Sequence, residues 1–294
     1  MTILARNLSQ TLRVEDHVSG VLSGNRSILA RTITLVESTA PRHIPLAEQV
    51  VRQLLPYSGR SIRVGIAGVP GVGKSTFIES LGCLLCNMGR RVAVLAVEPR
   101  GTMPHGSILR NKTRMEMLSH EQNSFIRPSH SADAHGGAAS KSRETIWICE
   151  AAGFDVVLVE TVGVDRGELT VRSLVDFFLL MMDAEERNEP PGVKKEIVEL
   201  ADALIVTKAD GDNKQRAEAA RDELSSLLHH LNSPTPGWSP QAMTFSKSET
   251  RGIAEAWALV EQFRAATTNS GSFEQRRRSQ TLDWIREITG ETVG

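Results

Sequence analysis

Apolar residues recur at helical spacing through roughly the first sixty positions, and then the rhythm changes. Val18, Val21, Leu22, Ile28, Leu29, Ile33, Leu35 and Val36 mark one helical stretch, which Pro41 interrupts. Ile44, Leu46, Val50, Val51, Leu54 and Leu55 mark a second, ended by Pro56. From there the chain carries short, β-branched runs at 61–68, 92–99, 154–161 and 201–210, with a weaker one at 241–245. None alternates strictly, the signature of parallel strands covered on both faces. The stretches 74–89, 138–153, 169–183, 213–231 and 251–267 read as helices, and 270–293 as a polar linker with a final short helix. Strands alternating with helices predict an α/β fold: a doubly wound, mostly parallel sheet, with an N-terminal helical extension and C-terminal helices. The expected division is a helical extension over 1–58, the sheet domain over 59–268 and a C-terminal segment over 269–294.

Composition narrows this. The 294 residues are 40% hydrophobic and 23% charged, ordinary for a globular protein and far from disorder. Lys and Arg number 34 against 35 Asp and Glu, so no nucleic-acid partner is expected. Three cysteines cannot form a disulfide framework and point to a reducing compartment, the cytoplasm. The first residues lack a basic region followed by an apolar run, so no signal peptide is expected. The longest apolar run, Phe177 to Met182, is too short to span a bilayer, and no membrane association is expected.

The chemistry starts after the first strand. Residues 68–76, GVPGVGKST, match GxxxxGK[ST] between a predicted strand and a predicted helix, the context of a P-loop NTPase. Gly68, Gly71 and Gly73 permit a loop whose N–H groups, with those of Val72 and Thr76, turn toward phosphate oxygens. Lys74 is placed to reach the β- and γ-phosphates, and the Ser75 hydroxyl to ligate Mg²⁺. Glu98 and Glu160 end predicted strands, where ligands of open sheets gather, and are candidates for the outer shell of that ion. Gly163, just past Glu160, is a candidate γ-phosphate sensor, since its N–H can approach the ligand and release it after hydrolysis. Thr207-Lys208-Ala209-Asp210 resembles the [NT]KxD guanine motif, and Phe245-Ser246-Lys247 a second guanine loop. The Asp210 carboxylate can accept from both the N1–H and the 2-amino group of guanine, a donor pair that adenine lacks.

Taken together, ITLVEST (33–39), GIAGVPGVGKSTFIESLG (65–82), GSILRNKTRM (106–115), CEAAGFDVVLVETVGV (149–164), GVKKEIVELAD (192–202) and TKADGDN (207–213) resemble the methylmalonyl-CoA mutase-associated GTPases, the MeaB/ArgK family. The resemblance runs from about residue 15 to 290. It implies a homodimeric GTPase that takes GTP, GDP and Mg²⁺ and escorts a cobalamin-dependent acyl-CoA mutase, guarding cofactor loading and protecting the mutase. It also implies three mobile switches near 98–115, 160–170 and 184–196, with Lys194 in the third relaying nucleotide state. Several switch positions depart from the family pattern: Glu98-Pro99-Arg100-Gly101, Arg110-Asn111, Asp165-Arg166 and Pro190-Pro191. The C-terminal segment also looks shorter than the family's by about one helical arm. No Gln is evident to position the attacking water, so slow turnover without a partner is expected. A small-molecule kinase of the LAO/AO type, a nickel-insertion GTPase and a binding-only GTP switch remain as alternatives.

Other features read as structure. Cys83 and Cys86 have CxxC spacing but lie among apolar helix residues, as buried small hydrophobes. His130, Asp133 and His135 read as a polar loop, Met181-Met182 beside Phe177-Phe178 as core, and Arg276-Arg277-Arg278 as part of a solvated linker. Arg114 stands evenly between a phosphate contact and a neutral switch position.

Overall fold

The computed structural model describes residues 12–98, 115–130, 137–161, 166–184, 195–247 and 252–289. Three helices come first: α1 (Val14–Leu22), α2 (Arg26–Glu37) and α3 (Ile44–Leu54). Asn25 caps α2, its side chain accepting from the N–H groups of Ser27 and Ile28 at 3.1 Å each. The buried faces of these helices, Val21, Leu29, Ile33, Val36, Val50 and Leu54, are the apolar stripes of the sequence pattern. They pack on one another and on a later helix, α6 (Gly137–Ala151).

Seven parallel strands follow among the described residues: β1 (Ile62–Gly68), β2 (Val92–Glu98), β3 (Ser124–His130), β4 (Val156–Thr161), β5 (Phe177–Asp183), β6 (Ala203–Thr207) and β7 (Gln241–Thr244). Their order is β3-β2-β4-β1-β5-β6-β7. β1 therefore lies centrally and the chain winds outward in both directions. Helices cover both faces, which makes the sheet a doubly wound α/β sheet. Every residue of β1, β4 and β6 is buried, which is why these strands read as continuous apolar runs.

Three expectations change. The stretch 169–183 is not one helix: α7 (Arg166–Arg172) ends early, and Phe177–Asp183 is β5, paired with β1 and β6. A six-residue apolar run such as FFLLMM fits a buried strand as well as a buried helix, and periodicity cannot separate them. Phe177, Phe178, Met181 and Met182 are core, as expected. His130, expected in a polar loop, ends β3, a strand that the apolar pattern did not mark; Pro128 is tolerated there because β3 is an edge strand. The linker and short helix expected after 270 are one 18-residue helix, α11 (Ser272–Thr289), set off from α10 (Ile253–Ser270) by Gly271 at φ +77°. Arg276 and Arg277 are not solvated: they reach back to Asp202 and Asp176 under the sheet, and only Arg278 is exposed.

Candidate phosphate and base site

The strand register brings the candidate chemistry together. Ile66 of β1 pairs with Glu160 of β4, and Gly68 pairs with Met181 of β5. The carboxyl ends of β1, β4, β5 and β6 thus form one rim, where open α/β sheets hold ligands. Gly68 ends β1 at φ +141°, and a Cβ there would lie 2.4 Å from the Met181 carbonyl oxygen. Only glycine lets the loop leave β1 so close to β5. Gly71 and Gly73 also have positive φ, +86° and +106°. Val72 is buried beneath the loop, its N–H donating to the Val69 carbonyl at 3.3 Å.

Gly73 opens α4 (Lys74–Asn87) without a side-chain cap. The first N–H groups of a helix have no acceptor within it, and the macrodipole adds partial positive charge at this end. Lys74, Ser75 and Thr76 form that first turn. Lys74 is buried, its Nζ donating to the Gly68 and Val69 carbonyls at 2.5 and 3.0 Å. The Ser75 hydroxyl donates to Glu160 Oε1 at 3.0 Å, and Glu160 is only 6% exposed. Two hard oxygen donors, 85 residues apart in sequence, therefore meet at the mouth of the loop. Glu98 ends β2, two residues beyond Ala96, which pairs with Glu160; its side chain lies outside the described residues, as do Gly163 and Lys194.

The second part of the site follows β6. Thr207 is buried and donates its hydroxyl to the Met182 carbonyl at 3.2 Å. Lys208 has φ +56°, the only positive φ outside glycine among the described residues. Its Nζ pairs with Asp183 Oδ2 at the end of β5. The Ala209 N–H donates to the Phe245 carbonyl at 3.2 Å, and Ser246 Oγ donates to Asp210 Oδ1 at 2.5 Å. The two loops suspected of reading a base are thus bonded to each other, while Lys247 beside them is exposed. Phe245 packs edge-on against Phe77 of α4, ring centroids 5.3 Å apart, which ties this half to the phosphate half. Asp183 and Asn213 join the site unforeseen. Asp183 was hidden by the helical reading of 169–183, whereas Asn213 stood in plain view at the end of TKADGDN.

Cys83 and Cys86 are both free thiols; Cys86 is buried, as its apolar setting suggested, whereas Cys83 is only half-buried. Among the described residues no group of three or more His, Cys, Asp and Glu could hold a metal by protein ligands alone. Nor is any helix among them long and apolar enough to cross a membrane. A cavity of about 550 Å³ lies at the other pole, at the amino ends of β1 and β4, lined by Arg60, Ile62, Asp155, Trp257 and Arg264. It contains none of the residues above.

The family model described as "Methylmalonyl Co-A mutase-associated GTPase MeaB" matches residues 29–294. The probable GTPase Rv1496 of Mycobacterium tuberculosis is 46% identical over 280 residues, covering 95% of this chain and 83% of its own. A mitochondrial methylmalonic aciduria type A homolog of Mus musculus is 36% identical over 290 residues, 95% of this chain and 70% of its own. A crystal structure of a LAO/AO transport system kinase superposes with a TM-score of 0.82 at 38% identity, over 96% of this chain and 86% of that one. The chain is a guanine-nucleotide-binding P-loop GTPase, and it belongs to the methylmalonyl-CoA mutase-associated GTPase family.

Proposed function

We propose that this GTPase binds GTP with Mg²⁺ at the rim formed by Gly68–Thr76, Glu160 and the Thr207–Asp210 and Ser246–Lys247 loops. In this reading it uses hydrolysis to escort a cobalamin-dependent acyl-CoA mutase, as a homodimer. The observation that carries the site is the Ser75–Glu160 hydrogen bond of 3.0 Å at the amino end of α4. A hydroxyl and a carboxylate so placed fit a small, hard divalent cation that takes its remaining oxygens from phosphates and water. When bound, such an ion supplies charge neutralisation on the β- and γ-phosphates. The chain's own residues do the rest. The α4 N–H groups hold the phosphates, and Lys74 exchanges the two loop carbonyls for phosphate oxygens. Glu160 accepts from Ser75 and would help to hold the ion, and the Asp210 carboxylate reads the N1–H and 2-amino group of guanine. The family and the name of the mouse relative support the mutase as partner.

Titration with fluorescent GDP, competed by GTP and ATP, tests the site. GTP should compete, ATP should fail by at least about tenfold, and Lys74→Ala should abolish binding. Equal competition by ATP, or an unaltered Lys74→Ala protein, refutes the reading. Labelled GTP in the presence of candidate acceptors separates hydrolysis from kinase chemistry by the destination of the label, which should be water. Co-elution with a cobalamin-dependent mutase and a nucleotide-dependent change in its cobalamin loading test the escort role; neither occurring overturns it.

A further inference from the structure

A non-glycine residue at positive φ is uncommon and persists where its surroundings impose it. Lys208 is such a residue, and it sits two positions before the carboxylate assigned to the base. Its neighbours show what imposes the turn. The Asn213 side chain donates Nδ2 to the Lys208 carbonyl at 2.8 Å, and the Asn213 N–H donates to the Asp210 carbonyl at 3.0 Å. One residue thus closes the turn from both ends. From outside the turn, the Ala209 N–H holds Phe245 and the Ser246 hydroxyl holds Asp210, so the direction of the Asp210 carboxylate depends on the shape of residues 208–213.

Thr207 sharpens the point. At this position the [NT]KxD pattern carries either an amide or a hydroxyl, and here the hydroxyl is committed to the Met182 carbonyl of the neighbouring strand. The amide that binds the loop to itself comes instead from six residues onward. Its oxygen, Asn213 Oδ1, is buried without a partner among the described residues, so the side chain serves through its N–H₂ alone.

We infer that Asn213 is a positioning residue for guanine specificity: its amide holds Lys208 in the left-handed turn that aims Asp210 at the N1–H and 2-amino edge of the base. This rests on the base reading given under Proposed function. Asn213→Asp keeps the shape but replaces the donor with a charge that faces the Lys208 carbonyl; Asn213→Ala removes both. The test is the ratio of dissociation constants for IDP and GDP, which differ only by the 2-amino group that Asp210 reads. Both variants should weaken GDP by about tenfold and IDP, which keeps only the N1–H contact, by clearly less, so that the ratio falls toward one. Thermal unfolding of the nucleotide-free proteins should stay near that of the parent. A general folding defect instead weakens GDP and IDP equally and lowers the unfolding temperature, which overturns the inference. Asp210→Ala separates the two levels. If it leaves the ratio intact, the base reading itself fails. If it collapses the ratio while Asn213→Asp preserves it, the base reading stands and the role of Asn213 falls.

Discussion

Arg277 offers a demanding test of how the last helix is held. Its guanidinium reaches from α11 under the sheet and forks onto Asp176, Nε to Oδ1 and Nη2 to Oδ2 at 2.7 Å each. It also donates to the Gly59 and Ser61 carbonyls at 2.5 and 2.6 Å. Asp176 precedes β5, is 1% exposed, and also accepts from the Arg63 N–H at 2.8 Å. Arg63 in turn forks onto Glu150 at 2.9 Å on both arms. Replacing Arg277 by Met keeps much of the stem volume but leaves a buried carboxylate without its counter-ion. Breaking a buried pair from one side costs about 3–5 kcal/mol, much of it the penalty on the stranded charge. At about 2–4 °C per kcal/mol for a domain of this size, the melting temperature should fall by roughly 6–20 °C.

The assay is urea unfolding followed by tryptophan fluorescence, with calorimetry as a check. Asp176→Asn in the Arg277→Met background removes the stranded charge and should recover a good part of the loss. The pH dependence has a definite sign. Burial alone raises the Asp176 pKa, but hydrogen bonds and charge from Arg277, with help from Arg63, outweigh it and hold the carboxyl below its ordinary 3.8. A depressed carboxyl contributes stability that is fully present above the unfolded value and is lost as pH falls through the folded one. The gap between parent and variant should therefore be widest near neutral pH, where the stranded carboxyl is charged, and narrow as pH falls through the variant's burial-raised value toward the parent's depressed one. A variant within about 1 kcal/mol of the parent at pH 7 refutes the argument, since a buried carboxylate cannot lose its counter-ion so cheaply.

Two further outcomes follow from geometry alone. Gly68→Ala forces a Cβ to 2.4 Å from the Met181 carbonyl at φ +141°, so it should destabilise the fold by about 1–3 kcal/mol or more and abolish GDP binding; a stable, binding-competent Gly68→Ala protein contradicts the packing of β1 against β5. Burial pushes the Cys86 thiol up to about 11, with Glu121 and Cys83 adding to it, and also raises Cys149, which is wholly buried. With Ellman's reagent at pH 8, the folded protein should therefore expose no more than the half-buried Cys83, and urea should release all three thiols; three fast thiols in the native state refute that burial.

What could be read from the sequence follows the range of the interactions. The phosphate loop was legible because its requirements are local: three glycines at positive φ, then a helix start. Thr207–Asp210 was legible for the same reason. The identity of β5 was not, because FFLLMM is equally apolar on both faces and only its neighbours β1 and β6 decide that it is a strand. Asp183 was lost with it. Arg276 and Arg277 were misjudged because a basic triplet carries no sign of its partners. Their acceptors, Asp202 and Asp176, lie 74 and 101 residues away.

The two ends of the sheet differ in how their polar groups are held. At the carboxyl rim the polar groups include contacts of a kind that a phosphate oxygen or a cation can replace: Lys74 on two loop carbonyls, Ser75 on Glu160, Ser246 on Asp210. At the amino end they are forked and redundant, with Arg63 on Glu150, Arg277 on Asp176 and Arg276 on Asp202. A bidentate arginine pair gives up geometry and charge together when it opens, whereas one hydroxyl or ammonium contact is replaced at little cost by a phosphate oxygen. Under the proposed function, a sheet braced at its amino ends and exchangeable at its carboxyl ends would confine nucleotide-dependent rearrangement to the rim. That is the division a GTPase needs if its hydrolysis is to be felt by a partner without loosening its own core.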